Sequence, residues 1–169
     1  IVHVDTQCLR IHIAWYGFAM IDNNYPALSC LDELLCQGET SLFYKDLVHD
    51  KAWVSEIYTA LPSTRLASLY EITLHVNRTD IDSMTILNRI DELILTIAKH
   101  SVADHDLLKV KRQQQVLHYM QTRTLKQKAT HLGLWHSMTE DFTDLFSLAD
   151  IYHKVSTYDI QSVARILSE

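Results

Sequence analysis

CLDELLCQGETSLFYKDLVHDKAW, residues Cys30–Trp53, is the stretch that decides the fold. It places one amphipathic helix before Gly38 and a second directly after it, since glycine readily adopts the left-handed conformation that ends a helix. Thr40 or Ser41 is expected to cap the second helix, which leads through Lys51–Ala52 into a strand. Apolar residues repeat at helical spacing on both sides of the glycine: Leu28, Leu31, Leu34 and Leu35 before it, and Phe43, Leu47 and Val48 after it. The stretch therefore predicts a helix, a turn, a second helix and a strand.

Period-two alternation predicts strands on either side of this stretch. Residues 1–15 are expected to be extended, because apolar side chains alternate with other residues at Leu9, Ile11, Ile13 and Trp15. Two further strands are expected over Trp53–Ala60 and Leu69–Val76, and in the second of these Tyr70, Ile72, Leu74 and Val76 share one face. Because a loop joins these neighbouring strands, we expect them to pair antiparallel.

Helical spacing dominates the chain after Asn77. Asp80 is expected to cap the first of these helices, and Ser156 or Thr157 the last. Others are expected from about Asp104, from about Thr124 and over Phe142–Tyr152. Their apolar positions are Ile81, Met84, Leu87, Ile90, Leu93, Ile94 and Ile97, then Leu107, Val110, Leu117 and Met120, then Leu125, Ala129, Leu132 and Trp135, then Ile160, Val163, Ala164 and Leu167. Early strands and late helices predict an α+β fold, with an antiparallel or mixed sheet covered by helices on one face.

The bulk composition argues against two kinds of partner. The chain has 169 residues, 47% of them hydrophobic, which is enough to build a core. The formal net charge is −6, and the Lys and Arg residues are dispersed apart from the short cluster Lys109, Lys111 and Arg112, so we expect no nucleic-acid-binding surface. The longest apolar run, Ile13–Ile21, is much shorter than the about 20 residues that cross a bilayer, so we expect no membrane span.

The three cysteines are interpreted as small core residues. Cys30 and Cys36 lie on one predicted helix, where the geometry of a disulfide between them is poor. Cys8 lies in the predicted first strand. We therefore expect buried thiols rather than a metal site or a nucleophile.

The order helix, glycine, Ser-x-x-Tyr-Lys-x-Leu and strand resembles the second half-domain of the pitrilysin and mitochondrial-processing-peptidase family of zinc metallopeptidases, the M16 family. Four other segments are similar to the family in order and spacing: Gln7 with Ile11–Tyr16, Leu107–Lys111, Lys128–Ala129 with Leu132, and Ser156–Ala164. The resemblance implies that residues 1–169 form a single M16-type noncatalytic half-domain with a metallohydrolase-like fold. In the family another strand follows the last helix, so we expect the chain to be a fragment that lacks flanking segments.

The catalytic motif of the family is absent from this sequence. That motif, an inverted His-x-x-Glu-His on a helix, binds zinc through two imidazoles one turn apart and activates water through the glutamate. Here His131 and His136 are five apart, as are His100 and His105, which does not align them on a helix. We therefore expect no catalytic residue, no metal ligand and no cofactor in this chain, with zinc held by the catalytic partner half.

The resemblance also points to two positions that face the substrate. Noncatalytic halves of the family often carry an Arg, and a Tyr seven residues later, that bind the substrate at the active site of the partner half. The equivalent positions are Val48 and Ser55, so the usual polar clamp is not present. Either the alignment slips by a few residues, or this half contributes shape and assembly instead. Tyr44, Trp53 and Tyr58 are expected to pack in the core, and the alternative is that they form an aromatic surface.

Two functions follow from the resemblance. The first is a noncatalytic half of an M16-like zinc metallopeptidase, which pairs with a catalytic M16 half-domain or subunit and forms part of the chamber that binds the peptide substrate. The chain alone is then expected to have no activity. The alternative is a structural or assembly subunit of the same fold with no proteolytic role. An unrelated α+β binding domain is the remaining interpretation.

Overall fold

The computed structural model describes residues 9–77, 80–100 and 102–168, with the side chain of Asp144 excepted. Three strands form one sheet in the order β1-β3-β2: β1 is Leu9–Tyr16, β2 is Val54–Ala60 and β3 is Leu69–Val76. Both pairings are antiparallel, as predicted for β2 and β3. The earlier part of the expected first strand, with Gln7 and Cys8, lies outside the described residues.

One face of the sheet carries the core. In the register, Leu74 of β3 lies opposite Ile11 of β1 and Ile57 of β2, so the three side chains point to the same side. All three are buried, as are Tyr70, Ile72 and Val76. The alternation of β3 therefore predicts its buried face correctly. The opposite face carries Arg10, His12, Glu71, Thr73 and His75.

Helices pack over the apolar face in one or more layers, and the described residues contain six α-helices and one π-helix. They are α1 (Tyr25–Cys36), the π-helix Tyr44–Asp50, α2 (Ser83–Lys99), α3 (Asp104–Gln121), α4 (Leu125–Thr139), α5 (Asp144–Lys154) and α6 (Thr157–Leu167). Helix α1 and the π-helix contact β2, α6 contacts both α1 and α2, and α3 and α5 contact α1. Helix α4 lies farther out, against α3 and α5. The predicted α+β class, with an antiparallel sheet and helices on one face, is confirmed.

Helix α1 forms and ends as its sequence predicts. Pro26 lies in its first turn, where a missing N–H is tolerated. Gly38 follows the helix with φ of +80°, the left-handed conformation expected of it. Leu28, Leu31 and Leu35 are fully buried, whereas Leu34 is only partly buried against the core.

The helix after Gly38 is not the α-helix that was expected. The Lys51 N–H donates to the Asp46 carbonyl oxygen at 3.0 Å, an i→i+5 bond that defines a π-helix. Neither of the expected capping side chains acts as a cap. Ser41 Oγ is buried without a hydrogen-bond partner, and Thr40 Oγ1 instead accepts from Lys109 Nζ. The apolar spacing of Phe43 and Leu47 fits both kinds of helix, so the sequence pattern does not separate them.

Helix α2 begins later than predicted. Its N-cap is Asp82 rather than Asp80, and no side-chain hydrogen bond caps it. The buried stripe includes Ile86, which the sequence analysis did not include, while Met84 is 54% exposed. Met84 lies in the first turn of the helix, two residues after the N-cap.

The outer helices are less buried than their apolar spacing suggested. Leu107 and Val110 of α3 are buried, but Leu117 and Met120 are exposed, and so is Leu125 at the start of α4. Leu117, Met120 and Leu125 lie on parts of these helices that no neighbouring element in the described part of the chain covers, and periodicity alone does not reveal which parts are covered. Helix α5 begins at Asp144, so Phe142 precedes it and is half-exposed.

Two helix starts and two cysteines follow the predictions. Capping boxes at Thr124 and Ser156 begin α4 and α6. Cys30 and Cys36 are buried free thiols, as expected of small core residues. Burial raises the pKa of Cys30 to about 12, which leaves the thiol protonated and unreactive at neutral pH.

Candidate functional site

The segment from the π-helix into β2 contains both positions to which the sequence analysis assigned substrate contact. Val48 lies within the π-helix and Ser55 within β2. Between them Ala52 has φ of +50°, in the left-handed region that side-chain-bearing residues rarely adopt. We call the segment Tyr44–Tyr58 the junction. A π-helix, a left-handed alanine and an irregular strand together form one continuous departure from regular structure, of the kind that concentrates at functional sites.

Ser55 is the extra residue of a β-bulge. Val54 lies opposite Val76 and Glu56 lies opposite His75, so Ser55 has no partner of its own on β3. A bulge changes the direction of a side chain and increases the local twist. The Ser55 hydroxyl donates to the His75 carbonyl oxygen at 3.2 Å, which uses its only donor within the sheet.

Val48 contributes an apolar surface rather than a hydrogen-bonding group. Its side chain is partly buried and packs against the core. It has no hydrogen-bonding group, so it cannot replace an arginine that binds a carbonyl oxygen. The structure therefore brings both predicted positions to one junction, but neither presents a free donor.

An ion pair fixes the junction to α2. Arg89 donates to both carboxylate oxygens of Asp46, from Nε at 3.0 Å and from Nη2 at 2.6 Å. This fork geometry is the strongest form of an arginine–carboxylate pair. The hydrogen bonds from Arg89 hold the pKa of Asp46 below its usual value. The carboxylate therefore stays charged, and the π-helix is held in one orientation against α2.

The aromatic residues of the junction divide between core and surface. Trp53 is partly buried against the core, and Lys51 Nζ lies 4.9 Å from its ring centroid, a cation–π contact. Tyr44 also packs against the core, as expected. Tyr58 is 52% exposed, so the expectation that it packs in the core is wrong. Its position explains the error, because it lies on the open face of the sheet.

Tyr58 belongs to a polar cluster on that open face. Its hydroxyl donates to Glu56 Oε2 at 2.6 Å, and His75 Nδ1 lies 3.2 Å from the same oxygen. The rings of Tyr58 and His75 are 5.2 Å apart and tilted by 60°. The hydrogen bond to Glu56 raises the pKa of Tyr58. The cluster is a polar surface at the edge of the sheet, and it contains no paired nucleophile and base.

The position of β2 gives the junction a further property. In the order β1-β3-β2, β2 pairs with β3 only, so one side of the strand has no strand beside it among the described residues. An unpaired strand edge presents backbone N–H and C=O groups to which an extended peptide can add. The junction therefore includes a strand edge of the kind to which peptide backbone can add.

The donor set does not fit zinc. Within the described part of the chain, no group of three or more His, Cys, Asp or Glu side chains is placed to hold a metal ion. Zinc in proteins needs such a set on rigid elements. No step of metal chemistry can therefore be assigned to these residues.

Sequence reasoning missed one buried carboxylate. Asp32 lies on α1 among the buried leucines and is only 8% exposed. It accepts hydrogen bonds from the Tyr70 hydroxyl at 2.9 Å, and from Thr59 Oγ1 and Gln37 Nε2, each at 3.2 Å. Burial raises the pKa of Asp32, and these three hydrogen bonds oppose the rise. The sequence contains one indication of this buried carboxylate: an acidic residue lies one turn after Leu28, on the apolar face of α1.

Solved structures resemble this fold closely, although the sequence matches no family model and no curated protein. A protease from Helicobacter pylori superposes with a TM-score of 0.86 at 19% identity, over 97% of this chain and 40% of that chain. A peptidase M16 inactive domain from Pseudomonas fluorescens gives a TM-score of 0.78 at 15% identity, over 91% of this chain and 36% of that one. The inactive peptidase domain of a candidate zinc protease from Bordetella parapertussis gives 0.80 at 12% identity, over 92% and 81%.

The chain therefore has the fold of an M16 noncatalytic half-domain, as the resemblance implied. Identities this low establish the fold and leave activity to be argued separately. The chain spans about two fifths of the length of the Helicobacter pylori protease. None of the helices in the described residues is long and apolar enough to cross a membrane.

Proposed function

We propose that this chain is the noncatalytic half of an M16-like zinc metallopeptidase. It pairs with a catalytic half that carries the inverted His-x-x-Glu-His motif and the zinc ion, and together the halves enclose a peptide substrate. The observation that carries the proposal is the junction. In a fold shared with inactive peptidase domains, the family's substrate positions, Val48 and Ser55, fall where the backbone is irregular.

In the proposed peptidase, the junction forms part of the wall of the peptide-binding chamber. The unpaired side of β2 receives extended peptide backbone, and Val48 and Ser55 set the shape beside it. Closure of the two halves excludes water and holds the peptide near the partner's metal. The described residues offer no group of metal ligands, so in this proposal hydrolysis depends on the partner.

Association with the partner and with peptide tests this proposal. The chain is mixed with its cognate inverted-motif half, in which the motif glutamate is replaced by glutamine so that peptide is bound but not cleaved. Sedimentation is expected to give a complex of one copy of each half, and a fluorescent extended peptide is expected to bind the complex more tightly than either half alone. A complex that binds no peptide would contradict the chamber, and the absence of any complex would contradict the pairing.

A second function has an observation in its favour. Val48 has no donor and the Ser55 hydroxyl is already bonded to His75, so the substrate clamp of the family is missing. This favours a structural or assembly subunit of the same fold that has no proteolytic role. The association experiment distinguishes the two functions. A structural subunit would form the complex, but the complex would bind the peptide no more tightly than either half alone.

A further inference from the structure

Helix α3 carries apolar side chains on its outward side. The buried positions of this helix are Leu107, Val110 and Gln114. Leu108, Val116 and Met120 lie away from these positions, and each is half-exposed. The outward side of a surface helix is normally polar, because it faces water. The exposed apolar positions of α3 therefore indicate a surface that another molecule covers.

A shallow groove follows these side chains along the helix. It has a volume of about 680 Å³, and Glu33 of α1 lines it beside the residues of α3. We call Leu108, Arg112, Val116 and Met120, which all line the groove, the α3 stripe. Helix α3 has 18 residues and is about 27 Å long. A groove beside a helix of this length suits an elongated occupant, such as another helix, better than a compact ligand.

The α3 stripe is complementary to itself. Its four members follow one another at intervals of four residues, so the spacing is the same in both directions about Gln114. Side chains four residues apart form the ridges that interlock when two helices pack. A second copy of α3 that runs in the opposite direction would place its Met120 against Leu108 and its Val116 beside Arg112. By two-fold symmetry both pairs of contacts then occur twice.

The charges at the two ends of α3 favour the same arrangement. Asp104 and Asp106 lie in its first turn, whereas the exposed Arg123 and Lys126 follow its last turn. Neither Arg123 nor Lys126 forms an ion pair within the described residues. An antiparallel second copy brings the acidic end of each helix to the basic end of the other, and a parallel one would bring like charges together. Charge complementarity therefore favours a second copy of this chain as the occupant.

The basic residues in the middle of α3 are compatible with this interface. Lys109 Nζ donates to Thr40 Oγ1, and Lys111 Nζ donates to the His153 carbonyl oxygen at 2.7 Å. Both ammonium groups are therefore bound within the chain. Arg112 lies on the stripe itself, in a groove that Glu33 also lines. Arginine is enriched at protein interfaces, where its stem packs against apolar groups while its guanidinium group meets carboxylates.

We infer that the α3 stripe is a dimer interface that binds a second copy of this chain in antiparallel orientation. One pair of helices buries less than the about 1,200–2,000 Å² of most stable complexes, so the dimer is reversible, with a dissociation constant of about 10–100 µM. Near 1 µM the chain is then mostly monomeric. No residue of the α3 stripe belongs to the junction, and the dimer holds whether or not the chain is part of a peptidase.

Sedimentation equilibrium of the purified chain up to about 500 µM measures the dimer. Leu108→Glu places a charge against Met120 of the second copy and is expected to weaken the dimer at least about tenfold. Leu66→Glu is the matched control, since Leu66 is also exposed but lies in the loop between β2 and β3. It is expected to leave the dimer unchanged. A chain that stays monomeric, or equal weakening by both changes, would overturn the inference.

Charge reversal tests the antiparallel orientation. One variant carries Asp104→Lys with Asp106→Lys, and the other carries Arg123→Glu with Lys126→Glu. At low ionic strength each variant alone is expected to dimerise at least about tenfold more weakly than the native chain, because like charges meet at both ends of the interface.

An equimolar mixture of the two reversed variants is expected to recover the dimer, because every end then meets the opposite charge. Urea unfolding checks that each variant is folded, and the comparison of Leu108→Glu with Leu66→Glu decides if a reversed variant is not. Reversed variants that dimerise as tightly as the native chain, or a mixture that dimerises no more tightly than its components, would overturn the inference.

Discussion

Ala52 is the residue at which the backbone of the junction is most strained. With φ of +50°, its Cβ is close to a neighbouring carbonyl oxygen, which costs about 1–2 kcal/mol for an L-residue. The side chain is exposed, so no buried packing offsets this cost. The strain is maintained by the elements on both sides of Ala52, the π-helix fixed by Arg89 and the strand β2.

We expect Ala52→Gly to stabilise the chain by about 0.5–1 kcal/mol, because glycine removes the steric cost while adding some freedom to the unfolded chain. Ala60→Gly is the matched control. Ala60 is also exposed and has negative φ within β2, so the same change there should destabilise by about 0.5–1 kcal/mol. Urea unfolding measures both. A loss of stability in Ala52→Gly would show that the left-handed conformation is not strained.

Substitutions at Val48 and Ser55 test whether the junction contacts the substrate through hydrogen-bond donors or only through its shape. In the complex with a catalytic half, Val48→Ala and Ser55→Ala are expected to lower kcat/KM by less than about tenfold, because neither removes a donor aimed at developing charge. Loss of a true oxyanion donor would cost about 100-fold or more. Steady-state kinetics with an extended peptide measure kcat/KM for both variants. A collapse of activity in Ser55→Ala with unchanged unfolding would mean that the hydroxyl leaves His75 and contacts substrate.

The π-helix is the element whose packing holds the junction. Leu47 is fully buried, whereas Leu34 on α1 is only partly buried. We expect Leu47→Ala to destabilise by about 2–5 kcal/mol and Leu34→Ala by clearly less, because the second truncation leaves a smaller cavity. Denaturant unfolding of the two variants gives the comparison. Equal losses would contradict the difference in burial.

The pair between Asp46 and Arg89 predicts a pH dependence. The pKa of Asp46 is lower in the folded chain than in the unfolded one, so its carboxylate stabilises the fold above the usual value of 3.8 and this stabilisation is lost as the pH falls through the folded pKa. Arg89→Gln is therefore expected to cost about 1 kcal/mol at pH 7 and progressively less below pH 3.8.

Arg65 supplies the control for that pair. It pairs with Glu140 at 3.0 Å, but both side chains are more than half exposed, so Arg65→Gln should change stability little at any pH. Urea unfolding of both variants at several pH values is the measurement. A cost for Arg89→Gln that stays constant down to low pH would rule out the ion pair as its cause.

The whole molecule divides into features that its sequence predicts and features that it does not. The face of β3, the stop at Gly38 and the cap at Ser156 depend on local chemistry, and all three are confirmed. The π-helix and the bulge at Ser55 depend on how elements fit together, and an apolar spacing compatible with several backbones does not specify them.

The junction and the cavity between the helices differ in the same way. The resemblance leads to Val48 and Ser55, because positions can be carried over from one family member to another. The cavity of about 730 Å³ is assembled from elements distant in sequence, with Asp32 on α1, Thr59 on β2, His118 on α3 and Trp135 on α4. Each of these residues alone is unremarkable in the sequence, and only the packing of α4 and α5 against α1 and α3 makes them one surface.

The chain covers different shares of the proteins that it resembles. It covers 81% of the Bordetella parapertussis inactive domain but 40% of the Helicobacter pylori protease. These shares are compatible with the proposed function, in which the chain is one half of a larger assembly. In the proposed function, catalysis belongs to the assembled peptidase, and this half contributes part of the wall of the peptide-binding chamber.

Titration of the cognate catalytic half with this chain tests the proposed function most directly, with cleavage of a fluorogenic extended peptide as the readout. We expect neither half alone to cleave, and the rate to rise with added chain until the two halves are equimolar. A metal chelator should then abolish it. Full activity of the catalytic half without this chain, or hydrolysis by this chain alone that survives the chelator, would contradict the account.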